Sequence, residues 1–588
     1  MAEEGLLGEL SADNVRAHVE HIALQIPSRL AGSENARRMA EYSAKALRDV
    51  GVGAEVHELP GLVSFPGRAE FRVTHPREIA IPANTLGHSL ETLEEGIGGE
   101  LVDVYSGAFS DYEGKDAVGK VTMSELSYSP ARHEKQRIAG LKGSVAQVMM
   151  NWGHPENEAL PFGSVKPVWG NPTPYNYKTE MPTIPCIGIP RVSGLKLREM
   201  LKDGPVRVWL RTHVENGWRP VQITVGEIGA PASDDFILVG GHQDSWPGQA
   251  ATDNAAGNAC MIELARVFNR HRDRLRRGLV FGFWTGHETG TMIGSSWFAD
   301  RNWDRLRRHA LAYLQIDQPA CVGTTRWGTS SNAELRRFHE RIERRVLGNA
   351  VPTYWRRVMK NGDSSFFGLG IPMFHGEGSF TEEELKATAL ATLGWWHHSV
   401  ENTLDKLDWG LMAQHLRVYG AYLWELCTAP VLPFEFTEVA RQFEDRMTEL
   451  RDGGRAIGLD GAIARAQAFG AAAQRLAEAC ERWRGVYAKE GDIADGPAER
   501  LNRCMQRISH LLVPLQSTAK GTYGQDSYGF TPQTTMIPAL YEVPQLAKLG
   551  DGPERWMLET HLVRERNRVA DALDDATALI EDTLARLD

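Results

Sequence analysis

The chain has 588 residues, enough for three or four domains at about 150 residues each. With 42% hydrophobic and 24% charged residues it is globular, which excludes disorder, collagen and coiled coil, and a formal net charge of -11 argues against a nucleic-acid partner, which needs a basic face. Six cysteines (Cys186, Cys260, Cys321, Cys427, Cys480, Cys504) are scattered without a CxxC pair, as expected of reduced thiols in a cytoplasmic protein. The acidic start MAEEGLLGELSADN lacks a signal peptide's basic, then apolar, pattern. No apolar run approaches the ~18 residues of a membrane span, so no membrane partner is expected.

In chain order, Ser11 offers a helix cap and Val15, Val19, Ile22, Ala23 and Ile26 follow at helical spacing. A second helix is predicted over 34–49, closed by Gly51, and 53–59 alternates as a strand. From about 98 to 211 the texture becomes short β-like pieces broken by Gly, Pro and Tyr, with one helix near 131–141 and a long ordered loop at 161–185. From about 221 to 426 the pattern is βαβα. Strands are predicted at 236–240, 278–284 and 310–316, and helices at 254–269, 292–308 and 331–347. Such alternation implies an α/β domain with a mostly parallel sheet flanked by helices. The last ~150 residues are helical over 435–451, 461–488, 497–512 and 553–587, interrupted by the loop KGTYGQDSYGF at 520–530. There is no internal repeat, and the basic run 270–277 reads as a solvated turn.

Metal-type side chains collect where the predicted strands end, the place where open α/β sheets form their crevices. The first strand runs into Gly241-His242-Gln243-Asp244 and then Thr252-Asp253-Asn254, the second into His287-Glu288, and the third into Ile316-Asp317. His375 and the segment Trp395-Trp396-His397-His398 come later. An acid at one strand end is often only a helix cap, but three consecutive strands ending in acid or imidazole groups are hard to assign to chance. His242, Asp253, Glu288, Asp317 and a late histidine supply two imidazoles and three carboxylates. Two divalent cations bring four positive charges against three negative ones, a balance that favours a bound hydroxide near neutral pH. Asp253 is suited to bridging both ions, and Asp244 to orienting the His242 imidazole.

The segments GGHQDSW, TDNAAG, FGFWTGHETG, LQID and WHHSVENTLDKLD resemble the successive metal-binding segments of the co-catalytic zinc peptidases. That family includes bacterial leucyl aminopeptidases, glutamate carboxypeptidase II and, as a non-catalytic relative, the transferrin receptor. The resemblance runs nearly the whole length: 98–215 resembles the family's inserted protease-associated domain, and 431–588 its helical dimerisation domain. It implies a catalytic domain assembled from 1–97 and 216–430, and a homodimer. It also implies His242 and Asp317 on one ion, Glu288 and His398 on the other, and Asp253 between them. The ions are expected to be zinc, with iron, manganese or nickel as alternatives. The loop Gly362-Asp363-Ser364-Ser365 resembles the family's substrate-side loop, making Asp363 and Ser364, with His397, candidate contacts to a small-molecule or peptide-like substrate.

The family carries two adjacent glutamates after the second strand, the first a general base and the second a ligand; here the pair is His287-Glu288. An ungapped reading from Trp284 to Trp297 places His287 on the base position. A one-residue slip would instead make Glu288 the base and Thr289 a ligand, a weaker set. His287, as a neutral imidazole, can accept a proton from bound water; it can also serve as a further ligand. The HExxH zincin motif is excluded because Thr291 occupies its fifth position. His397 stands where the family often has tyrosine, and Asn402 where aspartate is usual. The sequence thus points to a binuclear metallohydrolase acting on an amide or peptide-like bond. Two alternatives stay open: the same metal site used for a lyase reaction or a small unusual amide, and a non-catalytic receptor-like protein.

Overall fold

The computed structural model describes residues 2–490, 496–529 and 531–587. Its larger sheet has eight strands in the order Gly53–Pro66, Val214–Ile228, Gly278–Trp284, Phe236–His242, Ala310–Gln315, Met373–Ser379, Arg326–Ser331, Thr353–Arg357. The four strands from Gly278–Trp284 to Met373–Ser379 are mutually parallel, and the flanking strands Gly53–Pro66 and Val214–Ile228 pair antiparallel. Phe236–His242 and Gly278–Trp284 are buried along their whole lengths. This is why they read as unbroken apolar runs rather than alternating ones. The chain leaves Phe236–His242 towards one neighbour and then crosses to the other, so the crevice over its carboxyl end lies at a switch of strand order.

Glycine lets this centre close. A Cβ on Gly240 would lie 2.4 Å from the Trp284 indole nitrogen and 2.8 Å from the Tyr313 hydroxyl. With no side chain between them, Trp284 Nε1 donates to Tyr313 Oη at 3.1 Å across the strand. Helices cover the sheet. Ala12–Gln25 begins at Ser11, whose hydroxyl accepts from the Asn14 amide, and buries Val15, Val19, Ile22 and Ala23. Glu34–Asp49 and Ala256–Arg270 share that core, which continues into the C-terminal helices.

The second sheet also has eight strands, all between Arg68 and Arg211, and pairing of Arg68–His75 with Arg207–Arg211 closes it into a barrel-like unit. Three of its strands, Arg68–His75, Ile79–Ala80 and Ala83–Thr85, precede the change of sequence texture at 98. The helices Thr437–Leu450, Asp460–Glu490, Gly496–Ser517 and Pro553–Ala585 form the C-terminal layer. All six cysteines are buried and free, and among the described residues no helix is long and apolar enough to cross a membrane. The α/β architecture expected from the sequence is present.

Two local expectations need correction, and one strand was missed. The helix expected over 331–347 is a strand, Arg326–Ser331, then a 3-10 turn, then the helix Arg336–Leu347. Asn332 explains the break: its backbone is extended, and its side chain accepts from the Met373 amide. The helix expected over 292–308 divides at Asn302 into Ile293–Arg301 and Trp303–His309. Met373–Ser379 was not recognisable as a strand because Gly376 and Gly378 weaken its pattern. Gly376 is required there, since a Cβ would lie 2.5 Å from the Trp327 ring.

Candidate metal centre

Four loops at the carboxyl ends of the parallel strands bring the expected residues together. His242 ends its strand, Asp317 lies just beyond Ala310–Gln315, Glu288 follows Gly278–Trp284, and His397 and His398 come from the loop preceding the helix Trp409–Thr428. Asp253 sits in the turn that opens the helix Ala256–Arg270, pinned by Asn254, whose amide donates to the Ile316 carbonyl at 3.1 Å. The carboxylate of Asp253 stands at the middle. Its Oδ1 is 3.0 Å from His242 Nε2, which is 3.5 Å from Asp317 Oδ1. Its Oδ2 is 3.4 Å from His398 Nε2, which is 3.2 Å from Glu288 Oε2.

Every one of these side chains is buried, and no lysine or arginine is ion-paired to Asp253, Glu288 or Asp317 among the described residues. Three buried atoms, His242 Nε2, Glu288 Oε1 and Asp317 Oδ1, have no hydrogen-bond partner. Buried charge without compensation is costly, and the local proton affinities respond accordingly. Burial pulls the His242 imidazole down, but Asp317 and Asp253 outweigh it and hold its pKa well above the ordinary value. Asp253 would rise on burial, yet His242 and His397 keep it well below the carboxylate range. Glu288 is pushed well up by burial and by Asp253. His398 is pushed well down by burial and by its neighbour His397. Nitrogen and carboxylate donors converging with unsatisfied atoms fit divalent transition metals of the zinc type.

Asp244 orients His242, but through its backbone: His242 Nδ1 donates to the Asp244 carbonyl at 2.9 Å, while the carboxylate lies 3.8 Å away. That carboxylate instead accepts the amides of His287 and Glu288 at 3.2 and 3.1 Å, fixing the backbone of the pair. His287 stacks on His242 with ring centres 3.9 Å apart. Its Nδ1 donates to Asp363 Oδ2 at 2.9 Å, and a ring nitrogen lies within 4.8 Å of the ligand atoms of His242 and Asp317. Asp363, expected as a substrate contact, is therefore the partner of His287; its other oxygen accepts from Ser295 at 2.7 Å. Ser364 donates its hydroxyl to the Asn361 carbonyl at 2.8 Å. His397 joins the cluster through Asp253 and stacks on His398 at 3.8 Å.

Asn402, which departs from the family's aspartate, accepts both the amide and the hydroxyl of Thr252 at 2.9 and 3.1 Å, tying the Asp253 turn to the histidine loop. Arg132 was not foreseen. It comes from the helix Arg132–Leu141 of the second sheet, and its charge favours the ionised form of Glu288 and the neutral form of His398. No spacing connects it to motifs more than a hundred residues away.

Residues 224–423, the stretch carrying all five cluster positions, match peptidase family M28. This segment belongs to that family. The chain is 26% identical over 402 residues to carboxypeptidase Q of Xenopus laevis, covering 65% of this chain and 79% of that protein. It is 26% identical over 260 residues to a probable glutamate carboxypeptidase, VP8, of Zea mays, where the match spans 39% of this chain and only 34% of the maize protein. Among solved structures, a peptidase M28 precursor from Shewanella amazonensis SB2B superposes with a TM-score of 0.58 at 19% identity, covering 73% of this chain and 97% of its own. BSAP, a zinc aminopeptidase from Bacillus subtilis, gives 0.54 at 17% identity over 71% and 95%. The two structures share the fold. The resemblance read from the sequence holds for this segment, which matches peptidase family M28 within a chain similar to carboxypeptidases over more of its length.

Proposed function

We propose that the chain is a binuclear metallohydrolase of amide or peptide-like bonds, with His242 and Asp317 holding one divalent cation, Glu288 and His398 the other, and Asp253 both. The observation that carries this reading is Asp253: its two oxygens face imidazoles from opposite loops, each backed by a further carboxylate. Zinc is the favoured metal, on the donor set and the zinc aminopeptidase neighbour.

Such ions, when bound, supply Lewis-acid activation of a carbonyl group and of water. The chain's own residues do the rest. Asp244 locks the His287–Glu288 backbone, so that Glu288 turns to the cluster and His287 lies flat on His242. The Asp363 carboxylate can only accept, so His287 Nδ1 carries the proton and Nε2 keeps a free lone pair. In this tautomer His287 takes a proton from the attacking water and returns it to the leaving amine, the work of a general base and acid. The intact donor set speaks against a non-catalytic receptor.

Purified protein should hold close to two first-row divalent ions per chain and cleave members of a panel of dipeptides and aminoacyl or acyl anilides. Metal content near one ion, or no cleavage of any amide by the fully loaded protein, overturns the proposal. We further propose a two-fold dimer. Trp556 and Met557, adjacent near the start of Pro553–Ala585, are 58% and 68% exposed, an apolar pair suited to a contact between copies. Light scattering should give twice the chain mass, and Trp556→Glu should halve it; a monomeric wild type overturns this.

A further inference from the structure

The family resemblance accounts for one histidine at the 397–398 position, yet both imidazoles reach the same carboxylate. Successive side chains on an ordinary extended or helical backbone diverge. Here His398 adopts a left-handed conformation, φ +55°. The turn is tied on both sides: the Phe162 amide donates to the His398 carbonyl at 2.7 Å, and the Ser399 hydroxyl to the Trp396 carbonyl at 2.7 Å. A non-glycine residue held in that region costs free energy and persists where its surroundings impose it, most often at functional sites. The result is a stacked pair, rings 3.8 Å apart and 23° from parallel, with His397 Nδ1 3.2 Å and His398 Nε2 3.4 Å from Asp253 Oδ2. Asp253, His397 and His398 place their donor atoms within 4.8 Å of one another.

We propose that His397 is an additional protein ligand, through Nδ1, of the cation held by Glu288, His398 and Asp253. This rests on the two-cation reading above. It makes that half of the centre two imidazoles and two carboxylates, and nitrogen-rich sites favour zinc, nickel, cobalt and iron over manganese or magnesium. The competing role is a strut. His397 Nδ1 is also 3.2 Å from Gln318 Oε1, and a proton on that nitrogen would link Gln318 to Asp253 without touching a metal. Ligation uses the Nδ1 lone pair, so Gln318 then becomes dispensable for metal binding.

Metal-free protein titrated with Co²⁺ separates the two. In calorimetry the wild type should show two binding events. His397→Ala and His398→Ala should each weaken the same event by about tenfold or more, while Gln318→Ala leaves both events unchanged. In the Co²⁺-loaded protein each ligated imidazole contributes one hyperfine-shifted, exchangeable N–H proton resonance. His397→Ala, and His397→Tyr as a second variant that keeps an aromatic ring, should lose one such resonance and keep the others. The wild-type protein, whatever the variants do, should show more than two. The proposal is overturned if both variants retain every shifted resonance, or if Gln318→Ala reproduces the His397→Ala weakening. A single Co²⁺ event in the wild type overturns the two-cation reading itself, independently of which resonances respond to His397.

Discussion

Two clusters of buried carboxylates in this protein are built on opposite principles. In the second sheet, Glu125 is buried and faces Arg191 at 2.8 Å and Arg198, whose Nε also reaches Asp103 at 2.7 Å. Each acid there meets a guanidinium supplied by the fold, so the cluster is closed within the chain. At the strand ends Asp253, Glu288 and Asp317 are ion-paired only to imidazoles among the described residues, Arg132 and Arg29 act on Glu288 and Asp253 only from beyond ion-pair distance, and buried atoms of Glu288 and Asp317 have no hydrogen-bond partner. A set of buried acids with no lysine or arginine paired directly to it is stable only if a ligand brings the charge or if some of the acids stay protonated. The same residue types therefore mark structure in one place and a site in the other; the counter-charge decides which.

The largest expected effect breaks the open cluster. Asp253→Ala should remove most of the bound metal, because one carboxylate serves both halves, and activity should go with it. Removing an acid from a cluster already rich in acids should also make the metal-free variant more resistant to heat than metal-free wild type. Elemental analysis showing full metal occupancy in Asp253→Ala would contradict the arrangement.

His287 comes next. If it is the base, His287→Ala should lower kcat by about 10²–10⁴-fold with metal content nearly unchanged. If it is a ligand, metal and activity fall together; if the slipped register holds, Glu288→Gln, not His287→Ala, carries the large loss. His287→Glu restores the family's pair of acids but sets a carboxylate against Asp363, 2.9 Å from the present Nδ1. A second change, Asp363→Asn, should therefore raise the activity of His287→Glu while lowering that of wild type. The same loss in both backgrounds would assign Asp363 to structure alone.

Much of the centre was readable because three of its segments, those of His242, Glu288 and Asp317, follow apolar runs. Phe236-Ile-Leu-Val and Leu279-Val-Phe must be buried strands, and a polar residue at such an end must face the crevice. The helices Ala12–Gln25 and Glu34–Asp49 were readable from their serine caps and spacing. What stayed hidden depends on contacts between distant segments. The pairing of Asp363 with His287 was hidden because only the folded chain brings the two together. Arg132 acts on the cluster from a helix over the second sheet with no motif, Gln318 follows the LQID segment without a signal of its own, and Met373–Ser379 was masked by the glycines that let Trp327 pack. Asp244 shows the limit of spacing: two residues from His242, it serves that imidazole by its carbonyl and the next loop by its carboxylate.

The closed cluster should behave in the opposite way to the open one. Arg198→Ala leaves Asp103 without its guanidinium and Glu125 with only Arg191. Removing one partner of a buried pair typically costs about 3 kcal/mol. Chemical unfolding should show that loss while metal stoichiometry stays at the wild-type value. A change in metal content without a change in stability would reverse the roles assigned to the two clusters.

The smallest effect concerns a third kind of buried acid, one with neither cation nor ligand. Glu334 lies at the seam between the larger sheet and the helix Gly496–Ser517, within 3.5 Å of the Ser509 hydroxyl, and its Oε2 has no partner. Burial, against weaker help from hydrogen bonds, raises its pKa from 4.5 to about 7. Below about pH 4.5 the carboxyl is protonated in folded and unfolded chains alike and contributes nothing to pH dependence. Between 4.5 and 7 the unfolded chain gives up its proton and the folded one keeps it, so stability declines as pH rises, and above 7 the loss is complete. A shift of that size corresponds to at most about 3 kcal/mol. Glu334→Gln carries no charge to bury, so it should match wild type near pH 4 and exceed it by about 1–3 kcal/mol at pH 8. Urea unfolding at the two pH values measures the difference directly. Equal stability at pH 8 would mean that Glu334 is stabilised in its ionised form, and that this seam, like the Glu125 cluster, already contains its counter-charge.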